Sequence, residues 1–590
     1  MELPTGGKRV ALLAAVLVVL SSVAAGAVAV FGPQAETADI SFEEVAEERG
    51  LDYEYQGHQV VNGNAGVYVA DYDRDGRQDL LLVGNESRGP VLYRNTGGAF
   101  EQSGAVPDAV DDHRIHSALF FDYDSDGWQD LLLLTDPSEP SGGYTSGGGM
   151  ATIPNASHPL LLENENGTYG DVRTLDNVPL QPYPIGATAA DYNRDGCTDL
   201  FVYHNGDWSL KTPTGYRNPS TVGNITDDNG EPNYLLRGNC RGNFTRVGDE
   251  AGIRGTRWSL VASFVDFTGD GLPDIHVAND FNEDVLYVNE GDGTFDFRRM
   301  GDSTDRNAMS SEVADFNGDR LLDVFVTQIG MASRDGSDVS ADKGSAFRRQ
   351  AAAQSPRYAK GNQLLVNQGN GTFVDRAPAY NVKRAPFVWG WAAVATDLDN
   401  DGDLDIVHAN NEKSAVTSEG DRVMMRWRDT PPGAWENVGN ATHPSYTSLQ
   451  ANAVGLVDMN ARGMVRIDYD NDGDLDVVAA DEANQVKLFE NRVTTGHWLE
   501  VELVDESDHR TLGADVYVTV DDTTYRRTRN ARVDFLSQES RRIHVGLGSH
   551  GTVDEIRVVW PDGTTHRYTD VEADRRITLT KSGEIRDSSG

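Results

Sequence analysis

The amino-acid sequence predicts an all-β fold, a seven-bladed β-propeller followed by a small C-terminal β domain. Three observations carry this expectation. A nine-residue acidic loop recurs seven times along the 590-residue chain. Each copy stands between two short apolar stretches of strand length, with no long helical periodicity between copies. After residue 491 the loops stop and alternating strand patterns take over.

In order, the loops read DYDRDGRQD from Asp71, DYDSDGWQD from Asp122, DYNRDGCTD from Asp191, DFTGDGLPD from Asp266, DFNGDRLLD from Asp315, DLDNDGDLD from Asp397 and DYDNDGDLD from Asp468. Their starts lie 49 to 82 residues apart. The short spacings suit a four-stranded blade and the long ones a blade with an insertion. Insertions fall at residues 137–157, 206–232, 330–360 (partly helical in pattern) and 411–451. Stretches such as GVYVA, SALFF and GATAA precede the loops, and LLLVG, LLLLT and IHVAN follow them. Apolar runs this short, bounded by turn residues, are buried strands. A second marker follows in most repeats: LYRNTGGAF at Leu92, LLENENGTY at Leu161, LYVNEGDGTF at Leu286 and LLVNQGNGTF at Leu364. It reads as a strand, a Gly turn at positive φ and a return strand. The seventh repeat keeps only LFEN at Leu488, and the sixth shows no clear copy. A closed ring of such units leaves no sheet edge exposed.

The loops carry the chemistry. Asp at positions 1, 3, 5 and 9 converges four carboxylates, the position 7 carbonyl adds a fifth oxygen, and Gly at position 6 allows the sharp turn. Hard oxygen donors in that number suit calcium, and so much negative charge repels itself without a cation. The candidate ligands are Asp71, Asp73, Asp75, Arg77 (through its carbonyl, as for each seventh position) and Asp79 in the first loop. The second offers Asp122, Asp124, Asp126, Trp128 and Asp130, and the third Asp191, Asn193, Asp195, Cys197 and Asp199. The fourth offers Asp266, Thr268, Asp270, Leu272 and Asp274, and the fifth Asp315, Asn317, Asp319, Leu321 and Asp323. The sixth and seventh offer Asp397, Asp399, Asp401, Asp403 and Asp405, then Asp468, Asp470, Asp472, Asp474 and Asp476. An EF-hand is excluded, because its twelfth-position Glu is replaced by Leu82, Leu133, Val202, Val277, Val326, His408 and Ala479. A metal-free Asx turn explains one loop, but seven in register favour metal. Asn193, Thr268 and Asn317 soften three loops, and Arg320 in place of Gly marks the fifth as the weakest. A structural clip is favoured over a calcium switch, since extracellular sites of this kind stay filled.

These loops resemble the FG-GAP/VCBS repeats of integrin α-subunit propellers and of exported bacterial and archaeal proteins, over residues 42–491. The segment from residue 494 to 584 resembles the ASPIC/UnbV domain through Gly513-Ala514, Ser537-Gln538, Gly546-Leu547-Gly548 and Trp560-Pro561-Asp562-Gly563. It departs from that family at NARVDFL, where a Gly-rich stretch is usual. Propeller then ASPIC/UnbV is the order of cartilage-acidic-protein-like proteins, which Trp389-Gly390-Trp391 also resembles. The plainer reading of that triplet is a buried Trp pair beside a close-packed Gly.

Composition bounds the rest. The formal net charge is −42, with 93 Asp and Glu against 51 Lys and Arg. Only eight of the basic residues are lysines. An Asp-rich, Lys-poor surface resembles proteins of salt-loving archaea, so stability is expected to rise with molar salt. The charge argues against nucleic-acid binding. Lys8-Arg9 followed by an apolar run over residues 10–31 predicts a signal peptide or membrane anchor within residues 1–35, with the propeller (40–493) and the last domain outside the cell. Cys197 and Cys240 both fall in the third repeat, and spacing alone leaves their pairing open. The sequons at Asn85, Asn155, Asn224, Asn243 and Asn440 are compatible with glycosylation. No catalytic constellation emerges: His113 and His116 form an HxxH without a third ligand, and the paired carboxylates belong to the loops. The expected function is cell-surface binding of a protein or glycan, with an extracellular enzyme or enzyme accessory acting on a polysaccharide or other polymer as the alternative.

Overall fold

The computed structural model describes residues 40–587 except 56–64, 85–88, 136–157, 181–183, 206–210, 213–214, 217–229, 281, 301–307, 329–360, 384–389, 411–431, 441–442, 458, 483, 506–510 and 531–532. The predicted N-terminal anchor, Trp389, the sequons at Asn85, Asn155 and Asn224 and most of the predicted insertions lie outside these residues. Asn243 and Asn440 are exposed. Among the described residues no helix is long and apolar enough to cross a membrane.

Among the described residues the fold is all-β, with one short 3-10 turn at Asp108–Asp112. The repeats form, among the described residues, six four-stranded antiparallel sheets and one, sheet I, whose four antiparallel strands are extended to six by two strands from the C-terminal segment. Sheet I runs from Gly66–Ala70 to Phe100–Gln102, II from Ile115–Phe121 to Arg173–Thr174 and III from Pro184–Ala190 to Phe244–Arg246. Sheet IV runs from Trp258–Val265 to Phe295–Arg299, V from Ala308–Ala314 to Phe373–Asp375 and VI from Gly390–Thr396 to Tyr446–Leu449. Sheet VII takes Ala461–Ile467, Asp476–Asp481 and Lys487–Asn491 from the end of the repeats and Phe42–Glu44 from their beginning. That last pairing, Phe42 opposite Asn491, joins the two ends of the repeat region. It covers an edge that the sheet would otherwise leave open. The first strands of successive sheets pack side by side, and that of VII packs back on that of I, giving a propeller-like arrangement.

Each acidic loop joins the first and second strands of its sheet. In sheet I, Ala70 stands opposite Asp79 across the loop, and Ile467 stands opposite Asp476 in sheet VII. The flanking runs are buried on both faces, as continuous Val, Leu and Phe stretches should be, because each sheet is packed between neighbours. The sixth repeat does contain the second marker, against expectation. Ala434-Trp435-Glu436-Asn437 forms its third strand, hidden in the sequence because the following turn lacks the Gly-aromatic signature.

The C-terminal segment forms two more sheets around its own core of Leu499, Val501, Val516, Val518, Ile556 and Trp560. Between them the chain leaves as an arm, Val533–Asp534 and Ser537–Gln538, that pairs in parallel with the first strand of sheet I. The arm contains the departure from the ASPIC/UnbV pattern noted in the sequence. Phe535 is fully buried there and lies 5.2 Å from the Trp391 ring. Asp534 accepts hydrogen bonds from Ser310 Oγ, from the Ser311 N–H and from the Ala393 N–H. The arm thus bridges the first strands of sheets I, V and VI.

Candidate metal centres

The seven loops share one hydrogen-bond scaffold. The first-position Asp accepts the N–H of position 6 (3.0 Å from Gly76 to Asp71), in every loop. The fifth-position Asp accepts the N–H of position 7 (3.0 Å from Arg77 to Asp75), again in every loop. The ninth-position Asp uses both oxygens. One accepts the N–H of position 2. The other accepts an N–H from the third strand of the same sheet. Such Asx-type bonds close the loop locally, which is why Asp recurs at these positions. Position 4 sits in the left-handed region in all seven loops, through Arg74 (φ 55), Ser125 (70), Arg194 (57), Gly269 (78), Gly318 (67), Asn400 (60) and Asn471 (60). Sequence reading assigned the turn to position 6 alone. At that position Arg320 adopts φ 69, where the other six loops have Gly.

The scaffold brings positions 1, 3 and 9 together. Asp71, Asp73 and Asp79 offer carboxylate oxygens within 4.8 Å of one another, as do Asp122, Asp124 and Asp130, then Asp397, Asp399 and Asp405, then Asp468, Asp470 and Asp476. In the third and fifth loops the softened position turns inward. The Asn193 amide oxygen accepts the Asp195 N–H and its nitrogen donates to Asp195, and Asn317 does the same with Asp319. Thr268 lies 3.5 Å from Asp266 Oδ1. The fifth-position carboxylates (Asp75, Asp126, Asp195, Asp270, Asp319, Asp401 and Asp472) keep one oxygen on backbone. His113 and His116 join no group of three such ligands among the described residues.

Two properties of the loops fit a hard divalent cation. Buried Oδ1 atoms of the ligand carboxylates Asp71, Asp315 and Asp470 have no hydrogen-bond partner. An orphaned buried carboxylate oxygen is costly, and a cation supplies what is missing. Burial, reinforced by neighbouring carboxylates, also drives the acids up: Asp79, Asp130 and Asp199 to about 8, Asp274 to about 7 and Asp403 to about 10. Burial thus favours the protonated, uncharged form of these acids, a preference that a cation's charge would reverse. The seventh-position Cys197 is joined to Cys240 by a disulfide with Cα atoms 4.9 Å apart, which settles the pairing the sequence left open and ties the third loop to the turn after the third strand.

The C-terminal domain covers part of the loop face. Position 6 carbonyls accept from Arg542 at Gly76 (2.5 Å), Arg526 at Arg320 (2.7 Å), Arg527 at Gly402 (3.0 Å) and His544 at Gly473 (3.0 Å). The Gly546 N–H donates to Asp397 Oδ2 at 2.9 Å. Residues 194–196 and 269–271, in the third and fourth loops, stay exposed.

Comparison with known proteins agrees with the two-part architecture. Residues 71–133, 266–326 and 351–408 match the FG-GAP-like repeat family, and residues 505–586 match the family described as ASPIC and UnbV. Cartilage acidic protein 1 of Mus musculus is 24% identical over 371 residues, 60% of this chain. The match spans about half, 49%, of that protein's own length. Among solved structures, a Bacillus licheniformis rhamnogalacturonan lyase is similar at 12% identity and a TM-score of 0.35, covering 76% of this chain and 75% of that one. A Niastella koreensis GH74 enzyme is similar at 10% identity and a TM-score of 0.36, covering 90% and 71%. The chain carries FG-GAP-like repeats followed by an ASPIC/UnbV domain and is a distant homologue of cartilage acidic protein 1.

Proposed function

We propose that the chain is an exported, seven-bladed propeller, held by calcium in its loops, that acts as a binding or adhesion module at the cell surface. The observation that carries this reading is the common loop scaffold, with its orphaned carboxylate oxygens in several sheets. Seven copies of one loop scaffold, four of them converging a carboxylate trio, serve architecture better than catalysis. The ligands would be the Asp residues at positions 1, 3, 5 and 9 with the position 7 carbonyl. Calcium would supply positive charge where the fold has concentrated carboxylates, and its binding to the folded state adds stability by mass action. The disulfide supports an oxidising compartment, and the acidic surface suits high salt. The partner class that follows is an extracellular protein or glycan, met by whichever loops stay uncovered, with the chain either secreted or held by a single N-terminal anchor.

The test is thermal unfolding of the exported chain across a calcium titration. The melting temperature is expected to rise continuously from chelator to millimolar calcium, and to rise less with magnesium, which tolerates crowded all-protein cages poorly. A melting temperature indifferent to chelation would sink the proposal.

A further inference from the structure

A further position lies close to each loop, at the end of the third strand of its sheet or, in sheet II, just beyond the strand Leu160–Leu162. The N–H that bonds the ninth-position Asp belongs to Asn95, Asn164, Gly238, Asn289, Asn367, Asn437 or Asn491. The residues just before these are Arg94, Glu163, Arg237, Val288, Val366, Glu436 and Glu490. In sheet I the contact with the loop is direct. Arg94 Nε lies 2.5 Å from Asp73 Oδ2, and a terminal nitrogen of the same guanidinium lies 2.7 Å from Asp75 Oδ2. Arg77 adds a second guanidinium 2.6 Å from that Asp75 oxygen. Both outer carboxylates of the first loop thus already carry a cationic partner.

The other three loops with a complete carboxylate trio present the opposite charge at this position. Glu163 accepts the Tyr123 hydroxyl at 3.0 Å, and Glu490 accepts the Tyr469 hydroxyl at 2.6 Å, each Tyr being the second residue of its loop. Glu490, however, also pairs with Arg49 at 2.8 Å and with Arg492 at 2.5 Å, so the seventh loop does not face an uncompensated acid.

We propose that Arg94 lowers the cation affinity of the first loop, complete by its Asp pattern, and makes it a weak site that fills after the second and sixth. The inference rests on the calcium reading above. A guanidinium and a divalent cation compete for the same carboxylate charge, and a fixed like charge near the site repels the metal even where the two do not touch. Spacing within the motif says nothing of this, because the tuning residue comes from another strand.

The experiment counts calcium bound to the folded full chain by equilibrium dialysis over a range of free calcium, for the wild type, Arg94→Gln and the pair Arg94→Gln with Asp73→Asn. Arg94→Gln is expected to move one site to roughly tenfold lower free calcium, and adding Asp73→Asn is expected to abolish that gain. A binding curve for Arg94→Gln that superimposes on the wild type overturns the inference, as does a gain that survives Asp73→Asn. A wild type that binds no calcium removes the parent reading itself, whereas calcium binding with superimposed curves removes only the role of Arg94.

Discussion

Five Asn side chains hold neighbouring sheets together, each with both amide hydrogens. Asn367 Nδ2 donates to the Leu322 carbonyl of its own loop at 3.2 Å and to the Phe267 carbonyl of the preceding loop at 2.9 Å. Asn95, Asn164, Asn289 and Asn491 repeat the arrangement at their own positions. The two exceptions show what the contact is for. In sheet III Gly238 takes the place of Asn, and Thr198 Oγ1 reaches the Asp122 carbonyl at 2.7 Å instead. In sheet VI the Asn437 amide nitrogen is buried without a partner, while Tyr446 takes the Leu404 carbonyl at 3.0 Å. Asn367→Ala strands two buried carbonyls, each costing about 1–3 kcal/mol. Asn437→Ala strands neither. The first substitution is expected to lower stability by about 2–4 kcal/mol and the second by clearly less, as read by denaturant unfolding in calcium. Equal losses would remove the inter-sheet role.

Within a single loop, the raised carboxyls fix how stability depends on pH. A carboxyl whose pKa is higher in the folded chain than in the unfolded chain favours folding while it is protonated. Its contribution is complete below the unfolded value near 4 and disappears as pH rises through the folded value. For Asp79, Asp130 and Asp199 the folded value is about 8, and for Asp274 about 7. In chelator the melting temperature is therefore expected to fall from pH 5 to pH 8.5. In calcium the fall is expected to shrink or vanish, because metal takes the place of the protons, and calcium binding at pH 7 should release protons to the medium. A chelated protein that gains stability over this range would contradict the loop electrostatics. The loops were legible because each is contiguous and repeated, so Asp71 to Asp79 could be read as one cradle. The Asn contacts were not, since Asn95 meets the Tyr469 carbonyl across 374 residues of sequence. The left-handed fourth position was missed for a different reason: Arg74, Ser125 and Asn471 share a backbone angle but no side-chain chemistry.

Across the whole molecule the acidic loops serve two purposes, closing their own sheets and receiving the C-terminal domain. That domain reads the loops by backbone shape: it donates to position 6 carbonyls of the first, fifth, sixth and seventh loops, and to Asp397 through the Gly546 N–H. The ASPIC/UnbV resemblance was legible in the sequence, but the arm around Phe535 has no periodicity to announce that it enters the repeats. On the calcium reading proposed above, metal would stabilise the loop shape that the domain recognises, which would link the two events thermodynamically and reciprocally. Phe535→Ala tests this without altering any charge near the loops. The side chain is fully buried against Trp391, so its removal is expected to cost about 3–5 kcal/mol. If docking and metal binding are coupled, the variant should also gain less melting temperature from calcium than the wild type does. An equal calcium-dependent gain in both proteins would show that the loops bind metal regardless of the domain seated on them, and would confine calcium's role to the individual sheets.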